Sequence, residues 1–351
     1  MRAAVWHGAR DVRVEDVPVR PPGPGEVTIE VAYCGICGSD LHEYADGPHA
    51  VPVGDPHPES GVAAPLVLGH EFCGTVSETG DGVTGLAPGD RVAVEPHYRC
   101  GRCPRCLAGE YNICRHFGFA GLMGHGGLAE RATVPAYMLH RLPEEVSLEQ
   151  AAVFEPAAVA LHAVRRAAIR PGESVAVLGL GPIGLLVTRF AARNAARHGG
   201  RVVAADRSAA RRELALRLGA SATGPDLAGL VGDEGDEGAD VTFEAVGSPD
   251  TLRASLAATR RGGRVMFLGL TGAVTLDAFA LVNDEQTIMT SVGYRDVYPE
   301  LIRMVAEEGE DLSAVVTSVI PLEHVVRDGF EALLRGPEQE VKVLVRPGER
   351  P

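Results

Sequence analysis

Lysine is almost missing from this 351-residue chain, which carries one, Lys342, against an excess of arginine. We read that imbalance as codon or genome bias with no functional content. Positive charge is short altogether: 33 Lys and Arg face 47 Asp and Glu, a formal net charge of −14. A nucleic-acid binder presents a basic surface and an anionic membrane repels acidic chains, so the charge argues against both partners. Long apolar runs are missing too. No stretch of about 18 apolar residues occurs, and "MRAAVWHGARDVRVEDV" lacks the apolar centre of a signal peptide. We expect a cytoplasmic protein. The seven cysteines are an odd number and come without an export signal, which argues against a disulfide framework and turns attention to metal. What is present, 45% apolar and 23% charged residues, suits a soluble globular chain of one large domain or two ordinary ones.

The texture changes near residue 156. Before it, short β-branched runs such as "EVTIEVAY" (26–33) and "DRVAVEP" (90–96) alternate with Gly and Pro, predicting an irregular all-β body. After it, "AAVALHAVRRAAI" (157–169) has helical spacing, 173–196 reads strand, tight glycine turn, helix, and strands at 201–206, 239–247 and 263–270 alternate with helices at 208–220 and 248–260. That alternation predicts an α/β fold with a parallel, doubly wound sheet. "DLAGLVGDEGDEG" (226–238) reads as a weak helix running into an acidic loop, and "PELIRMVAEEG" (299–309) and "VKVLV" (341–345) as a last helix and strand.

"GLGPIG" follows a buried-type strand and opens a helix. Gly179 permits the tight turn, Gly181 lets a pyrophosphate approach the backbone, and Gly184 packs helix on strand, with Pro182 in the same cofactor-binding turn. Phosphates would sit on the free N–H groups at the helix start. Asp206 ends the next strand, 22 residues after Gly184, where a carboxylate accepts from both ribose hydroxyls and repels a 2′-phosphate. NAD is therefore expected over NADP. Arg207 and Arg211 are placed to stack on adenine and leave room for some NADP tolerance.

Four of the seven cysteines form one group, leaving Cys34, Cys37 and Cys73. Cys100, Cys103, Cys106 and Cys114 lie in one short loop, a spacing that closes a tetrahedron around Zn2+ with no open position and so predicts a structural site. Alone, that loop also fits a zinc-ribbon module. Cys34 and Cys37 in "CGICGSDLH" fit a dithiol, a shared metal, or chemistry at one of them only. Cys37, His70 and the carboxylates of Glu71 and Glu155 offer the three ligands that a catalytic zinc needs, although His70 also reads as an ordinary loop histidine and Glu155 as a helix-start charge beside Pro156.

Taken in order, "CGICGSDLH", "GHE", the four-cysteine loop, "EPAAVALHA" and "GLGPIG" resemble the zinc-dependent medium-chain dehydrogenases/reductases over essentially the whole chain. The likeness is strongest to the polyol branch that includes sorbitol, threonine and (R,R)-2,3-butanediol dehydrogenases. "SDLHEYADGP", the insert before "GHE" and "SVGY" (291–294) point to the last of these. The resemblance implies a GroES-like catalytic domain, 1–155 completed by 291–351, and a Rossmann domain, 156–290. It implies two Zn2+ per chain and NAD. Cys37, His70 and a glutamate, Glu71 or Glu155, would hold the catalytic zinc. Ser39 would contact the substrate oxygen, with His42 at the outer end of a proton relay. Ile183, Asp206, Arg211, Leu268, Leu270, Val292 and Gly293 would touch the cofactor. The activity implied is reversible oxidation of a secondary alcohol, first a vicinal diol, otherwise a sugar, polyol or aminocyclitol hydroxyl. A homodimer or homotetramer is expected. Tyr44, Phe119, His125 and Tyr294 are candidate pocket walls. A zinc-ribbon or thioredoxin-like module leaves "GLGPIG", Asp206 and "GHE" unexplained, and a zinc-free reductase of the same superfamily leaves Cys37, His70 and the four-cysteine loop unexplained.

Overall fold

The computed structural model describes residues 1–232, 238–336 and 340–348. Its contacts divide the chain into two compact units, Met1–Glu155 with Arg295–Pro351, and Pro156–Tyr294.

In the first unit the ten-residue strand Glu26–Gly35 organises a seven-stranded sheet. Glu71–Thr79 runs antiparallel along one edge. The other edge is shared: Arg131–Pro135 pairs with its first half and Lys342–Arg346 with its end, where Leu344 stands opposite Gly35. Lys342–Arg346 then pairs in parallel with Val316–Pro321. Alternate residues of the central strand, Val27, Ile29 and Val31, are buried with Phe72, Leu128 and Val345 in the core. A nine-residue helix, Gly38–Asp46, interrupts this β body directly after the central strand. Cys37 is its N-cap, in extended backbone, and Asp40 three residues on accepts from the Cys37 N–H at 2.9 Å.

The second unit holds a six-stranded, all-parallel sheet. Its order is Ala222–Gly224, Arg201–Ala205, Ser174–Leu178, Ala239–Glu244, Thr259–Phe267, Thr287–Thr290. The order reverses between Ser174–Leu178 and Ala239–Glu244, the switch point at which open α/β sheets take ligands. Pro182–His198, Ala209–Arg217 and Pro249–Ala257 are the crossover helices. The weak helix expected from 226 does not form as far as residue 232. Gly229 takes a left-handed φ of 76°, and Ala228 and Val231 form an isolated bridge. Leu227 buries itself from a turn instead, because a glycine in the left-handed region ends a helix before it nucleates. The acidic stretch 233–237 lies outside the described residues.

Candidate active site and dinucleotide cradle

The turn from the central strand into the helix Gly38–Asp46 sets out the reactive groups. Its ligand atoms meet those of the strand that begins at Glu71: Cys37, His70 and Glu71 each offer one donor atom, all within 4.8 Å of one another. His70 and Glu71 are buried, and Cys37 is half-buried. A thiolate, an imidazole and a carboxylate at this spacing fit a three-ligand zinc site with one open position. Two groups flank the imidazole. The Asp40 carboxylate, fully buried, faces His70 Nδ1 at 3.6 Å, and Ser39 Oγ lies 3.4 Å from His70 Nε2. Burial opposes a charge on His70, but Asp40 and Cys37 outweigh it and raise its pKa well above the ordinary value. A metal binding here must displace that proton. The Phe119 ring packs 5.6 Å from the His70 ring.

Lys342 is the group that sequence reasoning missed. Composition alone makes it look like codon or genome bias, yet it is 1% exposed, and its ammonium donates to both Glu71 carboxylate oxygens, at 2.8 and 2.6 Å, and to the Ile36 carbonyl at 2.9 Å. Burial works against its charge. The Glu71 carboxylate, followed by Cys37, outweighs burial, Glu155 adds to the effect, and the pKa rises. Glu155 is buried and within electrostatic reach of Lys342, but it is not in the Cys37–His70–Glu71 cluster. Only the isolation of one lysine amid arginines could have signalled this role.

The other cysteines separate cleanly. Cys34 is fully buried and its Sγ faces the Gly35 carbonyl at 3.6 Å; burial raises its pKa well above normal, so it stays a thiol. Cys100, Cys103, Cys106 and Cys114 converge. The Sγ–Sγ separations Cys100–Cys114 and Cys103–Cys114 are 3.5 and 3.9 Å, bracketing the edge of about 3.8 Å of a tetrahedron with Zn–S bonds of about 2.3 Å. The N–H groups of Cys106 and Arg115 lower the pKa of the Cys103 thiol, favouring a thiolate there, whereas burial and the neighbouring Cys114 raise that of Cys106. The donor set fits a closed zinc site.

His42 is exposed on the helix that carries Ser39. Of the candidate walls, Phe119 alone packs on His70. Tyr44 is core: it is 3% exposed, packs its ring at a tilt against Phe330 and donates to Glu331 at 2.7 Å. Tyr294 is fully buried, and His125 Nδ1 accepts from the Val67 N–H.

In the second unit Gly179 has φ 94°, and a Cβ there would lie 2.4 Å from Val246 Cγ2. A Cβ on Gly184 would fall 1.8 Å from the Gly179 carbonyl oxygen. Both positions admit only glycine. Gly181 caps the helix that Pro182 and Ile183 begin. Asp206 Oδ2 accepts from the Leu180 N–H and Oδ1 from the Ser208 N–H, each at 2.8 Å, so its carboxylate already braces the glycine turn. Arg212, not singled out from the sequence, donates to the carbonyls of Asp206 and Arg207. Arg207 is exposed and Arg211 half-buried on the following helix. Leu268 and Leu270 follow the strand Thr259–Phe267, with Leu270 79% exposed, and Val292 and Gly293 follow the edge strand Thr287–Thr290.

Residues 23–144 match the alcohol dehydrogenase GroES-like domain, and residues 182–307 match the zinc-binding dehydrogenase domain. The (R,R)-butanediol dehydrogenase of Bacillus subtilis strain 168 is 38% identical, over 99% of this chain and 100% of that one. The crystal structure of 2R,3R-butanediol dehydrogenase from B. subtilis superposes with a TM-score of 0.89 at 37% identity, covering 99% of both chains. The sorbitol dehydrogenase of the same strain is 33% identical over 99% of this chain and 97% of its own. An alcohol dehydrogenase of Escherichia coli CFT073, solved with NADH, has a TM-score of 0.87 at 25% identity, covering 99% of both chains. With the Cys37–His70–Glu71 cluster, the closed four-cysteine loop and the parallel sheet in one chain, this protein belongs to the zinc-dependent medium-chain alcohol and polyol dehydrogenases.

Proposed function

We propose that the chain interconverts a vicinal diol such as 2,3-butanediol and its hydroxyketone, with NAD(H) as the hydride partner and two zinc ions per chain. The observation that carries the reading is the three-donor cluster with Ser39 Oγ against it; the butanediol dehydrogenase relative supports the substrate class. Cys37, His70 and Glu71 would hold the catalytic zinc, with Glu155 as a second carboxylate nearby, and Cys100, Cys103, Cys106 and Cys114 would hold the structural one. When bound, zinc supplies Lewis acidity at the alcohol or ketone oxygen, and the nicotinamide carries the hydride.

The chain's own residues do the rest. Asp40 fixes the imidazole of His70, leaving Nε2 on the side of Ser39. Ser39 takes the proton of the substrate hydroxyl. His42, three residues further along the same helix and exposed, receives it at the solvent side, where an imidazole is suited to proton exchange near neutral pH. Phe119 walls the site beside His70. Gly179, Gly181, Pro182, Ile183 and Gly184 cradle the pyrophosphate, Asp206 receives the ribose hydroxyls, and Arg207 and Arg211 flank the adenine. Leu268, Leu270, Val292 and Gly293 contact the rest of the cofactor. A dimer or tetramer in the cytoplasm is the assembly we propose.

A second reading, oxidation of a sugar, polyol or aminocyclitol hydroxyl, is favoured by the sorbitol dehydrogenase relative. A screen of NAD and NADP reduction against the 2,3-butanediol stereoisomers, sorbitol, threonine and cyclitols separates the two. We expect the highest kcat/KM with one butanediol stereoisomer and NAD. Turnover confined to sorbitol or a cyclitol would establish the second reading, and no turnover with any alcohol would overturn both.

A further inference from the structure

Glu244 ends the strand Ala239–Glu244, fully buried, level with Leu178 on one neighbouring strand and Phe267 on the other. Those two neighbours lead straight into the glycine turn and the 268–270 loop. No step proposed above uses its carboxylate. Yet Oε1 accepts three bonds, from the Val246 N–H at 3.0 Å, the Gly247 N–H at 2.9 Å and Thr251 Oγ1 at 2.6 Å. The backbone carbonyl of the same residue accepts from the Leu268 N–H at 2.9 Å and the Gly269 N–H at 3.3 Å. Oε2 is buried and has no hydrogen-bond partner among the described residues.

The loops gathered here touch backbone to backbone. A Cβ on Gly269 would stand 2.0 Å from the Gly247 nitrogen and 2.8 Å from Glu244 Oε2. The Val246 side chain, in turn, is what a Cβ on Gly179 would strike. A buried carboxylate is costly unless donors surround it. Its three donors all come from the 246–251 segment, so that segment cannot shift without leaving the charge unsatisfied. Asp206 does the same for Leu180 and Ser208 on the other side of the glycine turn.

We propose that Glu244 is a positioning residue for the dinucleotide: its carboxylate locks the 246–251 segment, whose Val246 side chain lies against the glycine turn, and so shapes the cofactor cradle without touching the reacting atoms. This rests on the dinucleotide reading given above. The bland alternative is that Glu244 only stabilises the start of the helix Pro249–Ala257.

Glu244→Gln keeps the shape and removes the charge. Because a neutral acceptor forms markedly weaker bonds than a charged one, the Kd for NADH and the KM for NAD should each rise about tenfold, with kcat at saturating NAD within about twofold. NADH fluorescence titration and initial rates read these quantities, and a thermal melt is run alongside. A lower melting temperature with unchanged Kd and KM would overturn the proposal in favour of the stabilising role. Should the Gln variant not fold, Thr251→Val removes the shortest of the three bonds and keeps the carboxylate; NADH affinity equal to that of the unaltered chain would overturn the proposal there too. Failure of the unaltered chain to bind either NADH or NADPH would overturn the dinucleotide reading itself, and this proposal with it.

Discussion

Lys342 shows how much one residue can carry. Its ammonium satisfies both oxygens of a fully buried Glu71 and the Ile36 carbonyl, 306 positions away in sequence. Lys342→Met keeps the length and the apolar stem but leaves the Glu71 carboxylate without its counter-charge. Removing one partner of a buried pair costs about 3–5 kcal/mol. A cation held by Cys37, His70 and Glu71 would compensate that same carboxylate. We therefore expect urea denaturation of the variant to show a loss of about 3–5 kcal/mol when zinc is chelated, and a clearly smaller loss with zinc restored. A loss below about 1 kcal/mol, the range of an exposed pair, or one that zinc does not change, would show that Lys342 and the donor cluster are not coupled. None of this is visible in local sequence, because the partners are 271 residues apart and a lone lysine has no spacing to read. Asp40 was closer to legible: an acid three residues after an N-cap is a recognisable helix-start signal, although its reach to His70 is not.

At the scale of elements, the sequence was most readable where strands are buried on both faces. "SVAVL" and "VVAA" become Ser174–Leu178 and the body of Arg201–Ala205, continuous apolar runs of the kind a parallel sheet requires. The glycine turn followed from the same logic. The helix Gly38–Asp46 escaped because it is only nine residues long and mostly polar, with Tyr44 its only large buried apolar side chain. Val316–Pro321 escaped because it alternates half-buried and exposed positions at a sheet edge. Asp206 sits where strand gives way to helix, and its two oxygens each hold one loop N–H while keeping lone pairs for further donors. Asp206→Ala removes those acceptors and the charge that would repel a 2′-phosphate. Losing one or two charge-assisted bonds predicts a fall in kcat/KM for NAD of about 10- to 100-fold. NADP should suffer less, so the preference narrows. Equal NAD-to-NADP ratios before and after substitution would refute Asp206 as the ribose reader.

For the whole molecule the decisive feature is the return of the chain. Residues from Arg295 onward belong to the same unit as Met1–Glu155, and the strand Lys342–Arg346 lies between Glu26–Gly35 and Val316–Pro321, pairing with both. It brings Val343, Leu344 and Val345, each no more than 1% exposed, as well as Lys342. Burying three such side chains contributes about 1.5–3 kcal/mol each, a sum comparable with the whole net stability of a domain, about 5–15 kcal/mol. A chain ending at residue 340 should therefore lose the cooperative unfolding of the first unit and the zinc of the three-donor site together, since the same strand supplies the sheet and the partner of Glu71. Pro156–Tyr294 contains none of the deleted residues, so its parallel sheet and the NADH binding proposed for it should survive the truncation. Zinc analysis, a thermal melt and an NADH titration on the shortened chain test this directly. Two zincs per chain with an unshifted melt would mean that the first unit closes without its last strand; loss of NADH binding along with the zinc would mean that the two units do not fold separately.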